Sequence, residues 1–438
     1  MKLNSVGLFC AAAASLAASQ AAAQLPVTPR SLGMAGANVA VARGQEALFQ
    51  NPANLALPNN PHWSVAVPQF TVGATVAGLT LGDLNDLRGF DDFSEGRRQE
   101  ILDAIPGDGT AADLDLRLPL ASFSVRRAMF GVSYNLTGRH TAAKDLVDLV
   151  LNGYELGRPY PDRTIIAQTQ GYRAAYFDFA GGYAHRVGPL SLGVSGHYLM
   201  GRGLVRSGLV DIDTIFTPPG DVRVRYAGVK REGGSGFGLD VGAAFQPTPQ
   251  ITLSASVANV VNTLEWKDEA EIRFVDLDRD NYGNGDPDVI RQEYSATARP
   301  LSQADATVLA QARAAGLVDG VNEGATLTPV LRVGAAWEAR PGTTVAAAYQ
   351  DRQELSRLTG PWYRSLSVGV QHKIPVLTLR GGLATDMDAG TMLSGGLSLG
   401  PLHLAAARLG GTGPNDGPSQ DGWVFSFGFG SQTNSRMR

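Results

Sequence analysis

The chain has 438 residues, of which 53 are glycine and 18% are charged, with a formal net charge of −4. So even a balance argues against a nucleic-acid partner, which demands a basic face. The single cysteine, Cys10, lies at the N-terminus, so the rest of the chain has no disulfide, thiolate metal site or cysteine nucleophile.

The N-terminus opens with Lys2, runs apolar from Val6 to Ala18 and reaches small residues at Ala21, Ala22 and Ala23. This predicts a secretory signal peptide over 1–23 and a mature start at Gln24. The apolar run is shorter than the roughly 20 residues a membrane-spanning helix needs. Gly7, Leu8 and Phe9 before Cys10 do not form a lipoprotein cleavage box. Beyond this segment no run of eighteen or more apolar residues occurs, so no helix is expected to cross a bilayer.

Next comes a compact stretch over 24–61. Gly33 and Gly36 permit close backbone approach or positive φ, and Met34 lies between them. Asn51 can close an Asx turn, Pro52 fixes φ, and Ala53 follows. These residues suit either a buried plug or an ordinary turn entering the first strand.

From there on, large apolar side chains fall at every second position of segments about ten residues long, the period of strands. Leu190, Leu192, Val194, Tyr198 and Met200 share one parity, while Ser191, Gly193, Ser195 and His197 share the other. Ile251, Leu253, Ala255 and Val257 alternate with Thr252, Ser254 and Ser256. Near the end, Trp423, Phe425, Phe427 and Phe429 alternate with Val424, Ser426 and Gly428. Sparse charge without long apolar runs fits strands with one face in lipid and one in a lumen.

Counted this way, strands cover 64–79, 114–125, 129–138, 171–187, 189–204, 236–246 and 250–265. Seven more cover 327–339, 343–352, 362–372, 376–384, 391–399, 401–408 and 422–430. Short turns at 126–128, 188, 246–249, 340–342, 373–375 and 400 alternate with longer connections. That asymmetry predicts an all-β fold: a transmembrane antiparallel β-barrel of about fourteen strands over 62–430, with short periplasmic turns and long external loops. Pro68 requires an edge or bulge in the first strand. Helical composition at 84–105, 142–151 and 304–317 places short helices on the external loops, and a polar tail fills 431–438.

Chemical motifs are sparse, so no enzyme is expected. Gly396-Leu397-Ser398-Leu399-Gly400 spells a nucleophile elbow but sits in a Gly-rich hairpin rather than a strand–turn–helix. Gly234, Gly236 and Gly238 lead into a strand, not the helix of a dinucleotide site. The six histidines are scattered without metal spacing, and no cofactor is expected apart from one candidate. Asp276, Asp278, Asp280 and Asp286, with Asn284 and Asp288 and interleaved with Gly283 and Gly285, offer the oxygen ligands of a calcium-binding loop. The twelfth position from Asp276 is Pro287, so it is no EF-hand, and a solvated acidic loop is the alternative.

The stretch Ser31-Leu32-Gly33-Met34-Ala35-Gly36-Ala37 through Ala47-Leu48-Phe49-Gln50-Asn51-Pro52-Ala53-Asn54-Leu55 resembles the N-terminus of the FadL-like outer-membrane barrels. That family spans long-chain fatty-acid and hydrocarbon transporters and their PorV-like and TraF-like relatives. Leu327-Thr328-Pro329 leading into Val333-Gly334-Ala335-Ala336-Trp337 extends the likeness weakly, and the last strand resembles the aromatic signal read by the barrel-assembly machinery. The resemblance implies a hatch inside the barrel over 24–61, with Gly33, Met34, Gly36, Asn51, Pro52 and Ala53 gating it. It also implies uptake of a hydrophobic small molecule across the outer membrane, among outer-membrane lipid. The alternative it leaves open is a non-transporting PorV-like barrel that acts as a protein-secretion partner or an envelope structural component, with a secreted or envelope protein as its partner.

Overall fold

The computed structural model describes residues 28–80, 94–107, 109–152, 160, 162–215, 221–267, 269–280, 288–292, 299–304, 306–318, 327–352, 364–386, 390–411 and 420–433. Residues 1–27, where a signal peptide is expected over 1–23, Asp286 and the tail from 434 lie outside the described residues.

The first seven strands are β1 Trp63–Ala77, β2 Thr110–Val125, β3 Ala128–Ala142, β4 Gln170–Val187, β5 Leu190–Ile215, β6 Asp221–Thr248 and β7 Ile251–Asn262. Four pieces follow: β8 Glu265–Trp266, β9 Ala270–Asp280, β10 Asp288–Gln292 and β11 Arg299–Pro300. The last seven are β12 Val330–Arg340, β13 Thr343–Arg352, β14 Arg364–Lys373, β15 Leu377–Asp386, β16 Gly390–Leu399, β17 Leu402–Gly411 and β18 Gln420–Gln432. β1 pairs with β18, Ser64 opposite Gln432 and Ala77 opposite Gln420, and β7 pairs with β12, Ile251 opposite Trp337. The result is a closed antiparallel barrel of fourteen strands. Closure leaves no unpaired sheet edge, the condition for placing backbone in hydrocarbon.

Alternation decides which way each side chain points. Leu192 and Val194 are 47% and 44% exposed on the outer surface, whereas Ser191 and Ser195 are buried in the lumen. Trp423, Phe425, Phe427 and Phe429 likewise point out, and Val424 and Ser426 point in. Rings pair across strands on the outer face, Phe123 with Phe130 at 5.3 Å and Tyr198 with Phe237 at 5.5 Å between centroids. An apolar belt this continuous would be an aggregation site in water and is at rest in lipid.

The strand positions follow the alternation closely, and the short turns lie where expected. Arg126 and Gly400 take φ of +54° and +56° in theirs, the left-handed backbone that tight hairpins need. Pro68 falls in a bulge, where pairing to β18 shifts between Ala66 and Gln69. β18 runs on through Ser431 and Gln432, so the polar tail begins later than expected.

Two expectations are corrected. The connection that the strand count leaves at 205–235 is strand over 205–215 and 221–235: β5 and β6 run for 26 and 28 residues and rise well past the other strands. Nor is 266–326 a simple insertion, since β9 pairs with the outer half of β6, Ala270 opposite Arg231. Alternation disappears there because both faces are covered. Leu209 packs with Leu146, Leu149 and Ile165, while its neighbour Val210 packs with Val229, Ile272, Ala312 and Leu317. The covering helices are Lys144–Asn152, Asp162–Gln168 and Ala306–Ala314, and Glu95–Ala104 lies on the first long loop. Of these four helices, Asp162–Gln168 had no counterpart in the sequence pattern.

Candidate functional site in the barrel lumen

The N-terminal segment lies against the lumen wall near the short turns. It enters through the short helix Pro29–Leu32, capped by Thr28 Oγ1, which accepts from the Ser31 amide at 3.2 Å. Three further helical pieces follow at Gly44–Glu46, Ala47–Gln50 and Pro52–Ala56. Leu32, Met34, Ala47, Leu48, Ala53 and Leu55 are all buried.

The wall receives the segment on inward-facing glycines. A Cβ at Gly131 of β3 would meet Leu48 at 2.6 Å, and one at Gly369 of β14 would meet Met34 at 2.8 Å. At Gly193, Gly242 and Gly382 a Cβ would strike segment backbone or the Asn51 side chain outright. The strand glycines, weak packers in themselves, mark where a second backbone approaches the sheet.

The six residues singled out from the sequence fall on two opposite stretches of wall. Gly33 rests on Gly396 of β16, and Met34 on Gly369 and Gly382. Gly36 has φ +84°, and Ala35 beside it φ +51°, an uncommon backbone for alanine. Across the lumen, Asn51 Nδ2 donates to the carbonyls of Ala243 at 2.9 Å and Ala255 at 3.0 Å, and its Oδ1 accepts from the Ala53 amide at 2.9 Å. Pro52 opens the helical turn that this Asx contact caps. Asn54 ties the two stretches together, donating to the carbonyls of Val39 and Ala42 at 2.7 and 3.1 Å.

The small polar face of β7 is occupied by this segment. Ser254 Oγ donates to Asn54 Oδ1 at 2.9 Å, and Ser256 Oγ to the Gln50 carbonyl at 2.7 Å. Arg43 donates to the Ala40 and Ala42 carbonyls at 2.9 and 2.8 Å and to Asn59 Oδ1 at 2.8 Å. Desolvation pushes its guanidinium down to about 10, which leaves it charged at neutral pH.

Toward the long loops the lumen divides into two halves. On β2 to β6 and β12 it is ionic. Arg117 grips Asp115 bidentately, Nε to Oδ1 at 2.6 Å and Nη2 to Oδ2 at 3.1 Å, and reaches Asn135 and the Tyr176 hydroxyl. His197 lies between Asp178 at 3.0 Å and Asp240 at 3.3 Å. Arg139 faces Asp113 at 3.7 Å, and Arg332 donates to Gln350 at 3.2 Å. On β15 to β18 the corresponding residues are Ala384, Met392, Ala407, Leu409 and Val424, which form one apolar cluster with Leu32 and Ala35 of the segment.

The ionic half was overlooked in the sequence, although it left a signal: Asp113-Leu114-Asp115-Leu116-Arg117 carries charge at every second position. Charges at that spacing on a lipid-spanning strand must face inward.

Asp276, Asp278 and Asp280 occupy alternate positions of β9, and Asp280 pairs with Asp288 across the hairpin to β10. Ser398 of the elbow-like motif does contact a histidine, His403 Nδ1 at 2.7 Å. Arg30 Nη2, which can only donate, lies 3.2 Å from His403 Nε2, so Nε2 accepts and Nδ1 carries the proton. Arg380 also donates to Ser398 Oγ, at 2.6 Å. The imidazole therefore donates to the hydroxyl, the reverse of what a general base needs.

No protein-family model matches the sequence, and no curated protein matches it. Among solved structures, the chain is similar to the P. putida toluene transporter TodX at 13% identity, over 95% of this chain and 100% of that one, with a TM-score of 0.50. A deltaS2S3 mutant of the TodX monoaromatic hydrocarbon channel gives 11% identity over 94% and 100% of the two chains, with a TM-score of 0.52. At such identities the likeness shows the fold, that of the FadL-like barrels.

Proposed function

We propose that the chain is an outer-membrane channel that admits hydrophobic small molecules, with the N-terminal segment as its hatch. The observation that carries this reading is the contact of Leu32 and Ala35 with Ala384, Met392, Ala407, Leu409 and Val424. An open water pore lines its constriction with charge, whereas here the apolar half of the lumen meets an apolar face of the plug, Leu32 and Ala35. A hydrophobic solute crosses such a surface without losing hydration of its own, while ions are held to the other half. The outward apolar belt supplies the contact with outer-membrane lipid, and the aromatic β18 suits recognition by the assembly machinery. The fold shared with a toluene transporter and a hydrocarbon channel points the same way.

The test is uptake by cells that lack their own hydrophobic-solute channel and express this chain, supplied with radiolabelled toluene and a radiolabelled long-chain fatty acid. Uptake of either above the empty-vector rate is the expected result. Background rates for both, with an envelope protein co-purifying with the barrel, would replace the channel reading by a secretion-partner one.

A further inference from the structure

The lumen-facing columns of β15, β16 and β17 change chemistry along their length. On the loop side they carry Ala384, Met392, Ala407 and Leu409, part of the apolar cluster. On the turn side the same columns carry Arg380, Ser398 and His403, all buried. The turn from Gly33 to Ala35 lies between the two, its backbone against Gly382 and Gly396.

The turn-side group is one connected network. Arg380 Nη1 donates to Ser398 Oγ, which receives the His403 Nδ1 proton, and His403 Nε2 accepts from Arg30 Nη2 at 3.2 Å. Arg30 Nε faces Glu46 Oε1 at 3.4 Å. With the imidazole neutral, two guanidiniums share one carboxylate. Arg380 Nε goes to Gln371 Oε1 at 3.1 Å, and among the described residues no carboxylate forms an ion pair with Arg380. A guanidinium 8% exposed, with no carboxylate in contact and the one nearby, Glu46, paired to Arg30, is costly to hold, and an incoming anion relieves that cost.

We propose that Arg380 and Arg30 form a receiving site for the carboxylate head of an amphiphile leaving the lumen on the turn side. Its apolar tail lies along Met392, Ala407 and Leu409 while the head meets the guanidiniums, after the Gly33–Ala35 turn moves aside. The site rests on the channel reading and deepens it: an apolar column ending in buried cations matches an anionic amphiphile rather than a bare hydrocarbon.

The experiment compares uptake of a long-chain carboxylate with that of the uncharged alcohol of equal length, in cells expressing the full chain or its Arg380→Gln and Arg380→Lys variants. Arg380→Gln is expected to slow carboxylate uptake about tenfold, the scale of one lost charge-assisted hydrogen bond, and to leave the alcohol unchanged. Arg380→Lys is expected to retain most carboxylate uptake. Equal effects on both solutes, or none on either, would overturn the site. The unaltered barrel in detergent gives a reading independent of variant folding: the carboxylate should bind more tightly than the alcohol, and high salt should narrow the difference. Equal affinities there overturn the site as well. Failure of the unaltered chain to take up either solute counts against the channel, whereas the binding comparison still decides the site.

Discussion

The Asn51 side chain fills the space that a side chain at Gly242 would need: a Cβ built on Gly242 collides with Asn51 Oδ1. The glycine thus makes room for the N-terminal segment rather than for a turn of the strand. Gly242→Leu is expected to leave the outer belt and strand pairing intact while forcing Asn51 and Pro52 off the wall. The measurement is conductance of the purified barrel in planar bilayers, beside its heat-dependent gel mobility. A rise in conductance with normal mobility is expected, and unchanged conductance would mean that the segment does not limit passage.

Asn51 holds the segment by hydrogen bonds to two strands at once, through Ala243 and Ala255. Asn51→Leu keeps the volume and removes these bonds together with the cap on the Ala53 amide. Docking of the segment should weaken by about 1–3 kcal/mol, the cost of leaving buried polar partners unsatisfied. Hydrogen exchange should therefore speed up at the amides of 51–57 and not in β6 or β7. Acceleration spread evenly over the barrel would show that the residue stabilises the whole fold instead.

The ionic half of the lumen can be tested by the difference between single and double replacements. Arg117→Met takes the guanidinium away from Asp115, whose side chain is fully buried, and should cost about 3–5 kcal/mol, as breaking a buried pair does. Arg117→Met combined with Asp115→Leu removes both charges and should recover most of that loss. The temperature at which the barrel unfolds on gels reports both. If the double variant is no more stable than the single one, the pair is not the dominant contact of Arg117, and its bonds to Asn135 and Tyr176 matter more.

The barrel was legible in the sequence because lipid imposes a period. Leu190, Leu192 and Val194 must face out and Ser191 and Ser195 in, so each strand announces its register. The rule lapses where the lipid ends. Leu209 and Val210 are neighbours and both buried, one under each layer of loop helices, so the outer halves of β5 and β6 carry no period to read. The lumen was partly legible. Asn51, Pro52 and the glycines of the segment stood out, because close approach and Asx turns restrict residue type. The glycines that receive them, at 131, 193, 242, 369 and 382, are scattered over five strands and reveal their purpose only once the wall is closed. Arg30 and Arg380 were missed for the same reason, being 350 positions apart in numbering and neighbours only through Ser398 and His403.

The orientation of β5 gives the sharpest check of the fold in its membrane. Val194 and Val187 both face outward, at 44% and 59% exposure, but Val187 ends β4 beside the Gly188 turn while Val194 lies further up β5. A charge at the middle of the lipid belt costs about 2–4 kcal/mol and one near the interface about 0–1 kcal/mol. Val194→Arg should therefore lower the fraction of chain that reaches the assembled, heat-modifiable form, and Val187→Arg should not. The cause is solvation, because the arginine head can reach water from the turn but not from the belt. Equal assembly of the two variants would place Val194 outside the hydrocarbon, and a defect confined to Val187→Arg would move the lipid belt toward the turns.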